Sequence, residues 1–458
     1  MLTKIGIFFT VIFVAVQAAA QPKLPNVIFI LADDLGYGDV GCYGQKLIQT
    51  PNIDGLAREG MRYTNFYAGA PVCSPSRSVL MTGLHAGHTT IRGNATKQGG
   101  LAGSKGKQKV YRANLSSTDF TIGNLMQQSG YKTAMMGKWH LDGYDTLATP
   151  LQRGFDEFSG WLISYPATYR DGYWPDKRYR NGKLVDVEKN KNMQKGYYSA
   201  GICTDEAVDF LSRHKNAEKP FMLMVNYNNP HSPLDAPDKA IYESKDWPEN
   251  MKTYASMVYQ LDEAVGKLKK YLVDNGLDKN TILFFCSDNG PRSEDTKQLT
   301  EVADFFDSNG PLQGYKRDMY DGGIRVPMIV WAPGIVRAGS VSDLPAYFAD
   351  VMPTLASIAE TKVNYKTDGT SIFPNIKGEK TDTKPRFLYW EFFERGFEQA
   401  VRYGKWKAIK RADKIELYDI QKDLGEQNDV AQQNPGILNV ISKYLATCRT
   451  ESPFWPVD

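Results

Sequence analysis

Two groups of oxygen donors stand at the ends of apolar runs. Val27-Ile28-Phe29-Ile30-Leu31 leads into Asp33-Asp34, and Ile282 to Cys286 leads into Ser287-Asp288-Asn289-Gly290. Ligands of open α/β sheets collect at the carboxyl ends of the strands, and three carboxylates and an amide converging there would repel one another without a cation. Such hard oxygen donors favour calcium or magnesium, and no His lies beside them to suggest a transition metal. The alternative is that both motifs are turn residues after strands. A third segment, Cys73-Ser74-Pro75-Ser76-Arg77-Ser78-Val79-Leu80-Met81-Thr82-Gly83, sets a thiol ahead of a short helix predicted over 76–82 and ended by Gly83. A reactive group at Cys73 would face the helix N-terminus, whose free amides favour negative charge, and Arg77 would reach back to an anion. The alternative there is a buried structural cysteine. Lys138 and His140 are two apart, so an extended segment would turn both to one face and Trp139 to the other.

These groups need a scaffold, and the sequence predicts one. Apolar runs at 27–31, 131–136, 221–227, 282–286 and 328–331 read as strands buried on both faces. Helical patterns alternate with them, most clearly through Met251, Tyr254, Val258, Leu261, Val265, Leu268 and Leu272. The reading is an α/β fold, a large mostly parallel sheet between helices. After about residue 365 the pattern changes to short strand candidates at 387–392, 399–402, 406–410 and 416–418, closed by a helix near 436–448. That predicts a catalytic domain over 21–365 and a small antiparallel α+β subdomain over 366–458. The segment 159–196, rich in Tyr, Gly, Arg and Asn, reads as a long surface loop of the kind that lines a site.

Composition narrows the function classes. With 42% hydrophobic and 23% charged residues the chain is globular, and a net charge of +3 with no Lys/Arg block gives no nucleic-acid footprint. Lys4, the apolar run 5–16 and Ala18-Ala19-Ala20 read as a secretory signal cleaved after Ala20. The run is too short for a membrane anchor, so the expectation is an exported protein, periplasmic or secreted. Five scattered cysteines make no disulfide framework, and their odd number leaves one with another fate.

The full spelling from Cys73 to Gly83 resembles the signature of the sulfatase family, a branch of the alkaline phosphatase superfamily. In that family a maturation enzyme recognises Cys-x-Pro-x-Arg and oxidises the Cys to formylglycine (3-oxoalanine). The resemblance continues in order through 26–38, Gly137-Lys138-Trp139-His140-Leu141, Asn229-Pro230-His231-Ser232-Pro233 and Ser287-Asp288-Asn289-Gly290. It ends with 310–316, which carries Lys316, and 320–327. It implies one Ca2+ held by Asp33, Asp34, the modified Cys73, Asp288 and Asn289, with catalytic roles for Cys73, Arg77, Lys138, His140, His231 and Lys316. Hydrated formylglycine would attack sulfur, His231 would protonate the leaving alcohol, and His140 would take the proton that releases sulfate. The implied substrate is a sulfated sugar or polysaccharide fragment, as for bacterial exported carbohydrate sulfatases. Candidate substrate contacts are Arg92, Asn94, Tyr165, Arg170, Trp390, Glu391 and Arg402, with His85 and His88 nearby. A phosphate ester hydrolase and a non-catalytic glycan-binding protein are the competing classes. The first would use more His, and the second would not need Cys73, Arg77, Lys138, His140 and His231 together.

Overall fold

The computed structural model describes residues 24–105, 108–145, 148–162, 172–293, 296–362, 364–381 and 384–457. The signal segment and the candidate contacts Tyr165 and Arg170 lie outside the described residues. Ten strands form one sheet: β1 (Asn26–Asp33), β2 (Met61–Tyr63), β3 (Lys132–Lys138), β4 (Glu157–Trp161), β5 (Lys177–Arg180), β6 (Lys183–Asp186), β7 (Phe221–Pro230), β8 (Thr281–Ser287), β9 (Met328–Trp331) and β10 (Ser340–Ser342). Their order is β10-β2-β9-β8-β1-β7-β3-β4-β5-β6, and the five central strands from β8 to β4 are parallel.

Strand β1 shows why the sheet has two cores. Side chains alternate between faces, so Val27, Phe29 and Leu31 enter one cluster and Ile28, Ile30 and Ala32 the other. Helices α1 (Pro51–Glu59), α3 (Ser199–His214) and α4 (Glu249–Asp274) cover the second face. Helix α2 (Cys73–Thr82) and the helix 351–358 pack on the first. Trimming a fully buried ring such as Phe29 to Ala would cost about 3–5 kcal/mol.

Register places the chemistry. Leu31 pairs with Asn226 of β7 and Cys286 of β8, and Asn226 pairs with Gly137 of β3. The carboxyl ends of β1, β3, β7 and β8 therefore open on one edge of the sheet. Gly137 has φ +98°, and a Cβ there would lie 2.0 Å from the Asn226 carbonyl oxygen. Only glycine lets β3 and β7 approach so closely just before Lys138.

Three expectations change. Strand β9 runs antiparallel to β8, so the sheet is mixed on that side. The segment 159–196 is not one loop: β4 continues to Trp161, and β5 and β6 make an antiparallel hairpin at the sheet edge. Its signal was the Asn181-Gly182 turn, both residues at positive φ. The charged side chains of an edge strand had hidden the alternation. Helix α2 starts at Cys73, not Ser76.

The C-terminal sheet has β11 (Phe387–Phe392), β12 (Glu398–Tyr403), β13 (Trp406–Arg411) and β14 (Lys414–Asp419) in sequential antiparallel order. One face carries Tyr389, Val401 and Leu417 against Ile441 and Leu445 of the helix Pro435–Leu445. The other, with Leu388, Trp390, Phe392, Ala400 and Ile409, joins the same core as α2. Shared burial of this kind holds the small sheet rigidly against the region of the site.

Candidate active site

Asp33 ends β1 and Asp34 turns the chain out of it at φ +64°, a conformation that costs a non-glycine residue energy and here aims the side chain across the strand ends. Asp288 and Asn289 follow β8. All four are buried. Asn289 donates to Asp34 Oδ1 at 2.8 Å, and the Asp34 amide donates to Asp288 Oδ1 at 3.2 Å. The protein's own cations answer much of the mutual repulsion. Lys138 bonds Asp33 Oδ2, Lys316 Nζ lies 2.5 Å from Asp34 Oδ1, and Arg77 NH2 lies 2.7 Å from Asp288 Oδ2.

The atoms left over fit an oxygen-ligated cation. Asp33 Oδ1, Asp34 Oδ2 and Asn289 Oδ1 are buried with no hydrogen-bond partner, and such atoms in a native interior call for an ion or water. Asp33, Asp34, Cys73 and His231 can bring one ligand atom each to within 4.8 Å of one another. Burial raises both Asp33 and Asp34, but Lys138 and His231 outweigh it at Asp33, and Lys316 and His231 at Asp34, leaving both below the usual carboxylate range. Burial and the Asp33 charge push Asp288 up to about 8, which a nearby cation would relieve. Both Asp288 oxygens already accept hydrogen bonds, so it fits the ion less freely than the other three.

Cys73 is the first residue of α2 and is 2% exposed. Lys316 Nζ lies 3.5 Å from its Sγ. Ser74 next to it is held twice, its amide by Asn94 Oδ1 at 3.2 Å and its hydroxyl by the His140 carbonyl at 2.9 Å. Arg77 differs from expectation: its Nε donates to Asp288 Oδ2 at 2.9 Å and its NH1 to the Lys138 carbonyl at 3.0 Å. The guanidinium fastens the carboxylates rather than standing open to an arriving anion.

The expected extended run from Lys138 to His140 also breaks, because His140 sits at φ +63°. Lys138 and His140 still converge, while the Trp139 indole donates to the Ala148 carbonyl. Burial, then Lys138 and Arg112, hold His140 well below its ordinary range. Arg112 NH1 lies 3.0 Å from His140 Nε2. A guanidinium only donates, so Nε2 accepts and a neutral His140 carries its proton on Nδ1, which is buried and unpartnered. In this geometry Arg112 engages the Nε2 lone pair and the Nδ1–H is the unengaged donor. His231 presents Nε2 at 3.5 Å from Asp34 Oδ2, while its Nδ1 bonds the Ser232 carbonyl at 2.5 Å. Burial pushes it down to about 4, against the pull of Asp34 and Asp33.

Most other candidate contacts prove to be internal. Arg92 pairs with Glu391 at 3.1 Å, and Glu391 also pairs with Arg449. Trp390 is fully buried, its indole donating to the Ala68 carbonyl, and Arg402 donates to the Tyr67 hydroxyl at 2.5 Å. Trp390 and Glu391 are fully buried and Arg402 nearly so, and their polar groups are engaged within the protein. His85 and His88 stack on each other and face Asp368. Among the described members of the set, Asn94 alone reaches the Cys73 segment, through the Ser74 amide. Sequence reasoning missed Arg112, and also Glu394, whose Oε1 accepts from the Asn94 amide at 3.1 Å and Oε2 from Arg317 Nε at 2.8 Å. All five cysteines are free.

The family model described as Sulfatase matches residues 25–361, and the one described as N-sulphoglucosamine sulphohydrolase, C-terminal, matches 313–449. The chain is 31% identical over 399 residues to an N-acetylgalactosamine-6-sulfatase of Canis lupus familiaris, covering 85% of this chain and 72% of that one. An arylsulfatase G of Mus musculus is 29% identical over 88% of this chain and 79% of its own. Among solved structures, Ps i-CgsB in complex with k-i-k-neocarrahexaose superposes with TM-score 0.80 and 31% identity, covering 94% of this chain and 95% of that one. BT4656 in complex with its substrate D-glucosamine-2-N,6-O-disulfate shares the fold, with TM-score 0.70 and 24% identity over 93% of this chain and 98% of that one.

Proposed function

We propose, for a chain that belongs to the sulfatase family and is a sulfuric ester hydrolase, that its substrate is an O-sulfated carbohydrate and its nucleophile a formylglycine made by oxidation of Cys73. The observation that carries the reading is the setting of Cys73. It begins a buried helix, with Lys316 Nζ at 3.5 Å and Asp33 and Asp34, each carrying an unpartnered buried oxygen, grouped with it. Asp33, Asp34 and Asn289, with Asp288 beside them, would hold one Ca2+, which supplies Lewis-acid stabilisation of sulfate charge when bound. A formylglycine at position 73 would supply, once hydrated, the attacking oxygen. Lys316 and Lys138 place ammonium groups where sulfate oxygens gather charge, and the Nδ1–H of His140 is a further donor. His231 is assigned to the leaving oxygen. Held neutral by burial, it gains a proton at Nε2 when an anionic ester arrives beside it. Arg77 keeps Asp288 in place.

The carbohydrate substrate is supported by the neocarrahexaose bound to the structural neighbour Ps i-CgsB and by the polar side chains of Asn94, Arg317 and Glu394. Export to the periplasm or outside the cell is part of the same reading and rests on residues 1–20. The test combines intact-mass analysis with sulfate release from position-defined sulfated monosaccharides. Mature protein should carry the formylglycine mass change at Cys73 and turn over at least one sugar. Cys73→Ala and chelation by EGTA should each abolish turnover, with calcium restoring only the second. Undiminished hydrolysis by Cys73→Ala would sink the nucleophile assignment, and faster turnover of matched phosphate esters would favour the rival phosphatase reading.

A further inference from the structure

Among the described residues, the site holds a cation that no carboxylate pairs with. Arg77, Lys138 and Lys316 each lean on an Asp. Arg112 is not paired with any carboxylate among the described residues; its NH1 is on His140 Nε2, and its Nε is buried without a partner. Its guanidinium lies over the Tyr144 ring at 5.4 Å. A charged guanidinium kept partly out of water without a counter-charge is costly, and an incoming anion removes the cost.

The element that carries Arg112 is suited to such a ligand. Arg112 ends the hairpin of Leu101–Lys105 and Gln108–Arg112. The hairpin seats closely on the same tyrosine, since a Cβ at Gly103 would fall 2.2 Å from Tyr144 Cζ. From Ala95 to Thr118 the chain contains no Asp or Glu, and the strand Gln108–Arg112 carries Lys109 and Arg112. One sign of charge along an element concentrates anions beside it. Arg112 joins this stretch to the reaction centre, because the His140 it touches accepts from Ser74, the neighbour of Cys73.

We infer that Arg112 and its hairpin form a subsite for a second anionic group of the substrate, a carboxylate or a further sulfate next to the reacting ester. The inference rests on the sulfatase reading and deepens it. The planar fork of Arg112 pairs with two oxygens of such a group, and the two sources present the same oxygens to it. Moving to that anion also withdraws the guanidinium from His140 Nε2, which then regains a lone pair free for proton transfer.

The test measures calorimetric binding to the full chain carrying Cys73→Ala, with Arg112 intact, as Arg112→Lys and as Arg112→Met. The probes are matched sets of sulfated monosaccharides and disaccharides: monosulfated, disulfated, and monosulfated with a uronate. At least one dianionic sugar should bind about tenfold more tightly than its monosulfated counterpart. The advantage should vanish in Arg112→Met and persist in part in Arg112→Lys. Whether the disulfated or the uronate member shows it identifies the anion. Absence of any dianionic preference, a preference that survives Arg112→Met, or an equal loss for mono- and dianionic probes overturns the subsite. Failure of the sulfatase reading appears separately, as no sulfate release from any probe by Cys73-intact protein whose Arg112-dependent binding stands.

Discussion

Replacing Lys407 by Met tests how the C-terminal sheet supports the catalytic centre. Lys407 lies on β13 with its side chain fully buried, 2.8 Å from Asp321 and 3.3 Å from Glu426. Asp321 starts the short helix Asp321–Ile324, and its amide donates to Glu426 at 2.6 Å. Five residues before it, Lys316 reaches Cys73. At these separations each ion pair is worth about 5–6 kcal/mol with an effective dielectric near 20, and desolvation of the ammonium offsets part of that. Removing one member of a buried set strands the others, so Lys407→Met should lose about 3–5 kcal/mol of stability. Asp321 keeps Arg325 at 3.4 Å, which places the expectation toward the lower end.

The pH dependence of the loss has a definite sign. Burial pushes Glu426 up to about 7 even with Lys407 beside it. A carboxyl with a raised native pKa stabilises below its unfolded value and loses that contribution as pH rises through the native one. Without Lys407 its pKa rises further, so the variant should be penalised more at pH 8 than at pH 6. Urea unfolding of both proteins at the two pH values measures this, and a cycle with Asp321→Asn measures the coupling. A loss under about 1 kcal/mol, a penalty that shrinks with rising pH, or additive single and double variants would refute the reasoning. Sulfate release should fall with Lys407→Met at temperatures where the variant is still folded, since the loop of Lys316 loses its anchor.

Other outcomes are expected elsewhere in the molecule. Glu394 bridges the Asn94 amide, whose side chain holds Ser74, and Arg317, the neighbour of Lys316. Glu394→Ala should therefore lower kcat/KM several-fold while costing under about 1 kcal/mol of stability, the partners being part-exposed; Glu394→Gln should retain most activity. Asp262 of α4 accepts the Asn52 and Ile53 amides at 3.0 and 2.8 Å and so caps α1 from another helix. Asp262→Ala should cost about 1–3 kcal/mol in thermal or urea unfolding. Asp39 is buried, accepts from Tyr254 at 2.7 Å, and is pushed by burial up to about 6 from 3.8. Its contribution is largest below pH 4 and falls as pH rises through about 6, by up to about 3 kcal/mol. Asp39→Asn should gain on the unsubstituted protein across that window, which paired unfolding curves at pH 5 and pH 8 would show.

The sequence by itself determined the parts of this protein whose information is local. Unbroken apolar runs such as 27–31 and 282–286 can only satisfy both faces inside a covered sheet, and the residues that follow them must then leave at its carboxyl edge. The eleven residues from Cys73, with the motifs that follow in order, pointed to the sulfatase family, to which the chain belongs. Strand polarity was less legible, because antiparallel β9 is as apolar as its parallel neighbours, and the charged hairpin β5–β6 showed only its Asn-Gly turn. Only the tertiary structure decided which charges meet. It turned Arg77 onto Asp288, closed Arg92 onto Glu391 and buried Trp390 and Arg402, while bringing Arg112 to His140 and Glu394 to Asn94 from 28 and 300 residues away. A guanidinium reads the same in sequence whether it ends against an aspartate or an open pocket. The difference lies in the distances and burial that packing creates, and no residue spacing along the chain encodes them.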